Sequence, residues 1–319
     1  MKTPGNWKRP VWVMEVVVLL LAGGCTAHMA RVKAPAPMPK YPWFEAKNVC
    51  VFPLGNGPMP QTAEALSEAM ERGWSRAISF PDPNAVVTVE RAAFPSIGAL
   101  RVNLSDGRFK TDAANAGEIE LNNRVERVVR VGMLEIRADP LLVRDARMHL
   151  NVTVQGAKMV LERDRMGRPV MMLQDAGAGT LSLEVSVADL EALMLHDSRE
   201  SLARFGVNVD DVRLNVVAET PRSVWVTLHM AMDVGFVPAG ITFKVHLSVD
   251  DAMNATVTDM ALDGDEVLGP LIALFMRPAI VKHNNETRQL VRFPGGKIKL
   301  RDVAYRAGES LRMDAAFGS

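Results

Sequence analysis

The chain has 319 residues, with 37 basic and 37 acidic side chains, six histidines and two cysteines. A formal charge of zero argues against nucleic acid as a partner, which calls for a clustered basic surface. Two cysteines are too few for a disulfide scaffold, so a chain of this length must be held by its hydrophobic core. Aromatics are scarce at 6%, and methionines number 19. Met is flexible and polarisable, which suits irregular apolar surfaces, although a general bias in residue choice explains the excess equally well.

The N-terminus has the three parts of a secretory signal. Lys2, Lys8 and Arg9 make a positive start, an apolar run is densest over 16–21 (VVVLLL), and the small residues Ala22, Gly23 and Gly24 follow. The run falls short of the roughly 20 apolar residues that span a bilayer. Leu21-Ala22-Gly23-Gly24-Cys25 resembles the lipobox of bacterial lipoproteins, in which the cysteine thiol receives a diacylglycerol. Here Leu21 stands one place early and Glu15 interrupts the apolar stretch. The resemblance implies a signal peptide over 1–24 and a lipid anchor on Cys25; the alternative is ordinary cleavage near Ala27. Cleavage before Cys25 leaves 295 residues with 34 basic and 36 acidic side chains, a net charge of −2. The other cysteine, Cys50, sits among Val49, Val51 and Phe52 and reads as a small buried hydrophobe.

Residues 25–42 carry prolines at 35, 37, 39 and 42 and read as a semi-rigid spacer, extended at about 3 Å per residue. Residues 43–115 form an N-terminal α/β region to which the sequence assigns no role. Within it, 62–76 predicts a helix with Ala65, Leu66, Ala69 and Met70 on one face. From there strands dominate. Alternation of apolar and polar residues over 147–154, 180–187, 223–233 and 241–250 marks half-buried antiparallel strands. Shorter candidates lie at 86–90, 100–104, 129–137, 212–218, 255–262, 297–303 and 311–315.

Two helices interrupt the strands. Ser186 is a predicted N-cap for the first, which carries Leu190, Leu193, Met194, Leu202 and Phe205 and is closed by Gly206. The second is predicted from about 265 to 283. Its stretch 267–281 (VLGPLIALFMRPAIV) holds one charge, Arg277, and two prolines, Pro270 and Pro278. A helix apolar nearly all round is either buried or lines something apolar. The pattern predicts an α+β fold in which a long curved antiparallel sheet rolls around one or two helices.

Residues 179–194 (GTLSLEVSVADLEALM) and 293–315 (FPGGKIKLRDVAYRAGESLRMDA) are similar to the LmeA-like family of cell-envelope proteins, whose architecture is related to tubular lipid-binding proteins. The shared features are a strand running into a V-S-x-x-D-L-x-A-L-L start of a helix, here Val185 to Met194 with Met at the last position, and a closing glycine-containing hairpin. The likeness covers about residues 115–318, so 116–319 is expected to be an LmeA-like β-roll. It implies binding of phospholipid or another lipid inside a curved sheet, and no catalytic residues carry over.

The motifs of common enzymes are missing: G-x-S-x-G, a P-loop, H-E-x-x-H and C-x-x-C do not occur. The expectation is a protein that is not an enzyme and needs no cofactor or metal. His149, His229 and His246 fall on polar strand faces and read as surface residues. The acidic group Asp259, Asp263, Asp265 and Glu266 has oxygen ligands suited to calcium, but reads more simply as a helix start favoured by the backbone dipole. If an apolar groove exists, its expected lining is Leu190, Leu193 and Met194 from the first helix and Leu268, Leu271, Ile272 and Phe275 from the second. Strand residues Val226, Leu228, Met230, Phe243 and Val245 would face them. The expected partners are a membrane, through the Cys25 anchor, and a phospholipid or fatty acyl ligand. The competing reading is an assembly or structural envelope lipoprotein whose roll is filled by its own side chains.

Overall fold

The computed structural model describes residues 51–110, 121–164, 166–203, 206–252, 254–289 and 297–319. The signal, Cys25, the whole spacer over 25–42 and Cys50 lie outside these residues. The α+β class expected from the sequence holds, with strands in two sheets and three α-helices among the described residues.

The larger sheet has eleven strands and runs in the order β15 (Lys299–Ala307), β16 (Ser310–Gly318), β9 (Ala178–Ser186), β7 (Ala146–Asp164), β6 (Leu121–Val143), β4 (Ser96–Asn103) and β3 (Val87–Ala93). Branching from it are β1 (Val51–Pro53) on β8 (Pro169–Asp175), β8 on β7, and β2 (Ile78–Ser79) on β5 (Arg108–Phe109). The path has two ends, so the sheet is open. The long hairpin of β6 and β7 is its spine: β9 pairs along one stretch of β7 and β8 along the other. Pairings are antiparallel except for β4 and β5 on β6, which makes the sheet mixed where the sequence predicted antiparallel strands alone. Because β4 joins β6 directly, residues 87–103 belong to the same sheet as the strands after residue 120.

Helix α1 (Ala63–Ala77) starts where Thr62 Oγ1 accepts the Ala65 N–H at 3.1 Å, and buries Leu66, Ala69, Met70 and Trp74. It packs on β3, β1 and β2. Strand β8 is buried at Val170, Met171, Met172 and Leu173 in succession, so both its faces are covered.

The second sheet takes β10 (Val207–Thr220), β11 (Ser223–Val234), β12 (Val237–Val249), β13 (Asn254–Glu266) and β14 (Thr287–Gln289) in simple antiparallel succession. The sequence predicted one sheet for all these strands. The closing hairpin β15–β16 instead returns to β9 of the first sheet, with Leu311 opposite Val185 and Met313 opposite Leu183. The two sheets meet where the Tyr305 N–H donates to Pro221 O at 3.3 Å and the Leu300 N–H to Asp251 O at 3.0 Å. Burial of Tyr305 at this junction pushes its phenol pKa up to about 12.

Candidate functional site

The five-stranded sheet is built from strict alternation, and its register stacks the apolar positions into rows. Leu214, Leu228, Phe243 and Leu262 are cross-strand partners in one row; Val212, Met230 and Ile241 form the next, and Val216, Val226 and Val245 a third. The opposite face carries Arg213, His229, Thr242 and Asp263 in register. A period of two in the sequence thus becomes one apolar and one polar surface.

Two helices cover the apolar surface from its sides. Helix α2 (Val187–Leu202) begins where Ser186 Oγ accepts the Asp189 N–H at 2.9 Å, as the capping residue predicts. It packs chiefly on β10 and reaches β7 and β9, so it joins the two sheets. It also closes the free edge of β10. Glu191 Oε1 accepts the Leu214 N–H at 2.7 Å, Arg199 Nε donates to Val209 O at 2.6 Å, and Arg199 Nη2 donates to Asp210 O at 3.1 Å. Side chains here occupy backbone groups that an added strand would otherwise take. In the β6–β7 turn Arg144, at φ 56°, pairs with Asp197 of the helix and donates to Glu200 at 2.9 Å. Burial pushes the Asp197 carboxyl above its ordinary value, and Arg144 opposes that shift.

Helix α3 (Gly269–His283) packs on β13 and β12. Its seat is made by three glycines. A Cβ at Gly264 would strike Gly269 O, one at Gly269 would strike Gly240 O, and one at Gly240 would strike the Asp265 carboxylate. The first turn of the helix therefore lies directly on strand backbone, held further by the Leu268 N–H donating to Pro238 O at 3.3 Å. The helix was expected to begin near 265, with the acidic group at its start. Asp259, Asp263, Asp265 and Glu266 are in fact all strand residues of β13, with Asp259 and Glu266 at positive φ, and the N-cap is Leu268 without a side-chain cap. The group therefore lies outside the first turn of the helix, which holds no acidic residue.

The twelve expected groove residues fall into three sets. Leu190, Leu193, Met194, Val226, Leu228 and Val245 are buried. Met230, Phe243, Leu268 and Ile272 are half-buried and pack against the shared core. Leu271 and Phe275 face solvent, Phe275 at 75% exposure. The half-buried set comes from β11 (Met230), β12 (Phe243), and α3 with its N-cap (Ile272 and Leu268). Ser198 of α2 approaches one of them, its Oγ 3.9 Å from Met230 Sδ.

The three strand histidines do not meet. His149 Nδ1 lies 2.7 Å from Asp139 Oδ1 in the large sheet, and His229 Nδ1 lies 3.0 Å from Thr242 Oγ1 in the small one. His246 stacks on Trp225 at 4.8 Å, with Nδ1 3.0 Å from Thr258 Oγ1 and Nε2 2.9 Å from Glu219 Oε2. Among the described residues no group of three or more His, Cys, Asp or Glu is placed to hold a metal ion. Sequence reasoning missed the Trp225–His246–Glu219 cluster, because 219 and 246 meet only through strand register. It also missed the glycine seat, whose one sequence signal is glycine at 240, 264 and 269 flanking an apolar run.

No family model matches the chain, and no curated protein matches it. A solved structure of a lipopolysaccharide binding protein is similar over 54% of this chain and 77% of its own, at 9% identity and a TM-score of 0.22. At that TM-score the likeness is too slight to bear on function.

Proposed function

We propose that the chain is an exported bacterial lipoprotein, anchored through Cys25 on the periplasmic side of a membrane, that binds a lipid or other apolar ligand and carries out no catalysis. The observation that carries the ligand reading is the half-buried set of Met230 and Phe243 from the apolar face of the five-stranded sheet and Leu268 and Ile272 from α3 and its N-cap. An acyl chain laid there would gain about 0.8 kcal/mol for each methylene buried, without any special polar contact. The sequence supports the reading through the lipobox-like ending of the signal and the resemblance of 179–194 and 293–315 to the LmeA-like family.

Mass spectrometry of protein purified under mild conditions tests the ligand. A co-purifying lipid, displaced when Phe243 is replaced by Asp, is the expected result. Absence of lipid together with no uptake of a fluorescent fatty acid would leave the assembly lipoprotein with a filled interior as the better reading. The anchor is tested separately: Cys25→Ser should prevent lipid attachment, seen as loss of the acyl mass from the mature chain.

A further inference from the structure

Among the described residues, five of the eight large apolar side chains left in solvent belong to one region: Phe236, Val267, Leu271, Leu274 and Phe275. The last four recur at helical spacing, Val267 in the turn before α3 and the others on it, so they form a single stripe. The reverse side of the helix holds Ile272, Ala273 and Ile280 against the sheet. Phe236 is fully exposed, at 101%, in the tight turn between β11 and β12, beside Gly235 at φ 68°. That turn lies at the same end of the sheet as the start of α3, two residues from Pro238, which accepts the Leu268 N–H. Leaving this many large apolar groups in water costs free energy that contact with an apolar phase would recover.

We propose that this face of α3, with Phe236 at its N-terminal end, is a docking surface for a phospholipid bilayer. The helix lies in the interface and does not cross it, since its 15 residues fall short of the roughly 20 that span the hydrocarbon. One observation and one argument from the proposed anchor favour a bilayer over a second copy of the chain or another protein. The single charge of the stretch, Arg277, is exposed and has no ion-pair partner among the described residues. A cation at the margin of an apolar stripe can keep its head among lipid phosphates while its stem lies on the acyl boundary. An anchor at Cys25 supplies the second argument and rests on the function proposed above. Residues 26–50 then reach on the order of 75 Å at about 3 Å per residue, enough for this face to touch the same membrane.

The experiment uses the mature chain, residues 25–319, carrying Cys25→Ser, which removes both the apolar signal and the anchor, in sedimentation with vesicles of phosphatidylethanolamine and phosphatidylglycerol. The parent should partition onto vesicles. Leu271→Asp/Leu274→Asp/Phe275→Asp should weaken partitioning at least tenfold with an unchanged circular-dichroism melt, and Phe236→Asp should weaken it less. Should the triple variant fail to fold, Phe275→Ser provides the same comparison. Equal partitioning of parent and folded variants overturns the proposal, as does a parent that stays in the supernatant. A parent dimer that the same substitutions convert to monomer assigns the face to a second copy and likewise overturns it. A docking variant that loses vesicle binding but still co-purifies with lipid separates this surface from the ligand site.

Discussion

Helices α2 and α3 have nearly the same length, and both lie against the five-stranded sheet, yet they are used in opposite ways. Helix α2 mixes polar and apolar residues, is capped by Ser186, and spends both kinds: Leu190 and Met194 enter the core, while Glu191 and Arg199 close the edge of β10. Helix α3 is far more apolar and lacks a side-chain cap. Its glycine seat brings backbone against backbone, and Leu271, Leu274 and Phe275 stay outside. The contrast separates two quantities that hydropathy merges: how apolar a helix is, and how much of it the fold can cover.

That contrast is broken most directly by trimming one leucine from each helix. Leu190 is 2% exposed, and Leu190→Ala should cost about 2–5 kcal/mol in denaturant unfolding, as buried leucines do. Leu274 is 57% exposed, and Leu274→Ala should stay within about 0.5 kcal/mol of the parent. Equal losses would mean that the outer face of α3 is covered in solution. Next in size is Gly264→Ala, where the new Cβ meets the backbone at the start of α3. The overpacking should cost about 1–3 kcal/mol and lower the melting temperature; an unchanged melt would show that the helix does not need its seat.

The cap of α2 is worth less. Ser186→Ala leaves the Asp189 N–H without its acceptor and should cost about 1 kcal/mol, with Ser186→Asp restoring most of it. The smallest effect concerns pH. Burial holds the Asp197 carboxyl above its ordinary pKa, so over that window the folded state binds a proton more tightly than the unfolded one. Stability from this group therefore falls as pH rises from the ordinary carboxylate value through the raised one. Arg144→Ala removes the cation that opposes the shift, and should widen the gap in melting temperature between about pH 4 and about pH 7. A gap no wider than in the parent would show that Arg144 does not serve Asp197.

Local features were legible wherever one physical rule acted alone. Alternation located β11 and β12 to within a few residues, because each has one wet face and one dry. Ser186 announced its helix, because a hydroxyl that accepts the N–H three residues on is a local arrangement, whereas the matching cap at Thr62 was not anticipated. Strand β8 was not legible: with both faces covered, Val170 to Leu173 lose the period of two. The start of α3 was placed too early, since carboxylates that suit a helix N-terminus serve equally on the exposed positions of β13. Of the expected groove, the strand and α2 members sit on the apolar face, whereas Leu271 and Phe275 are turned outward. No periodicity marks that difference in a helix apolar all round.

By itself, then, the sequence determined the α+β class, the faces of the amphipathic strands, the cap of α2, and the presence of one helix too apolar to be ordinary surface. Each depends on neighbours within a few positions, which sequence order preserves. Only the tertiary structure decided that the strands divide into two sheets, that β16 returns to β9 and not to β13, and that Gly240, Gly264 and Gly269 form one seat. These depend on which distant segments exclude water together, and burial is a property of the assembled surface. The outward stripe of α3 is the plainest case: its composition is written in the chain, and its exposure is set by how the helix is seated.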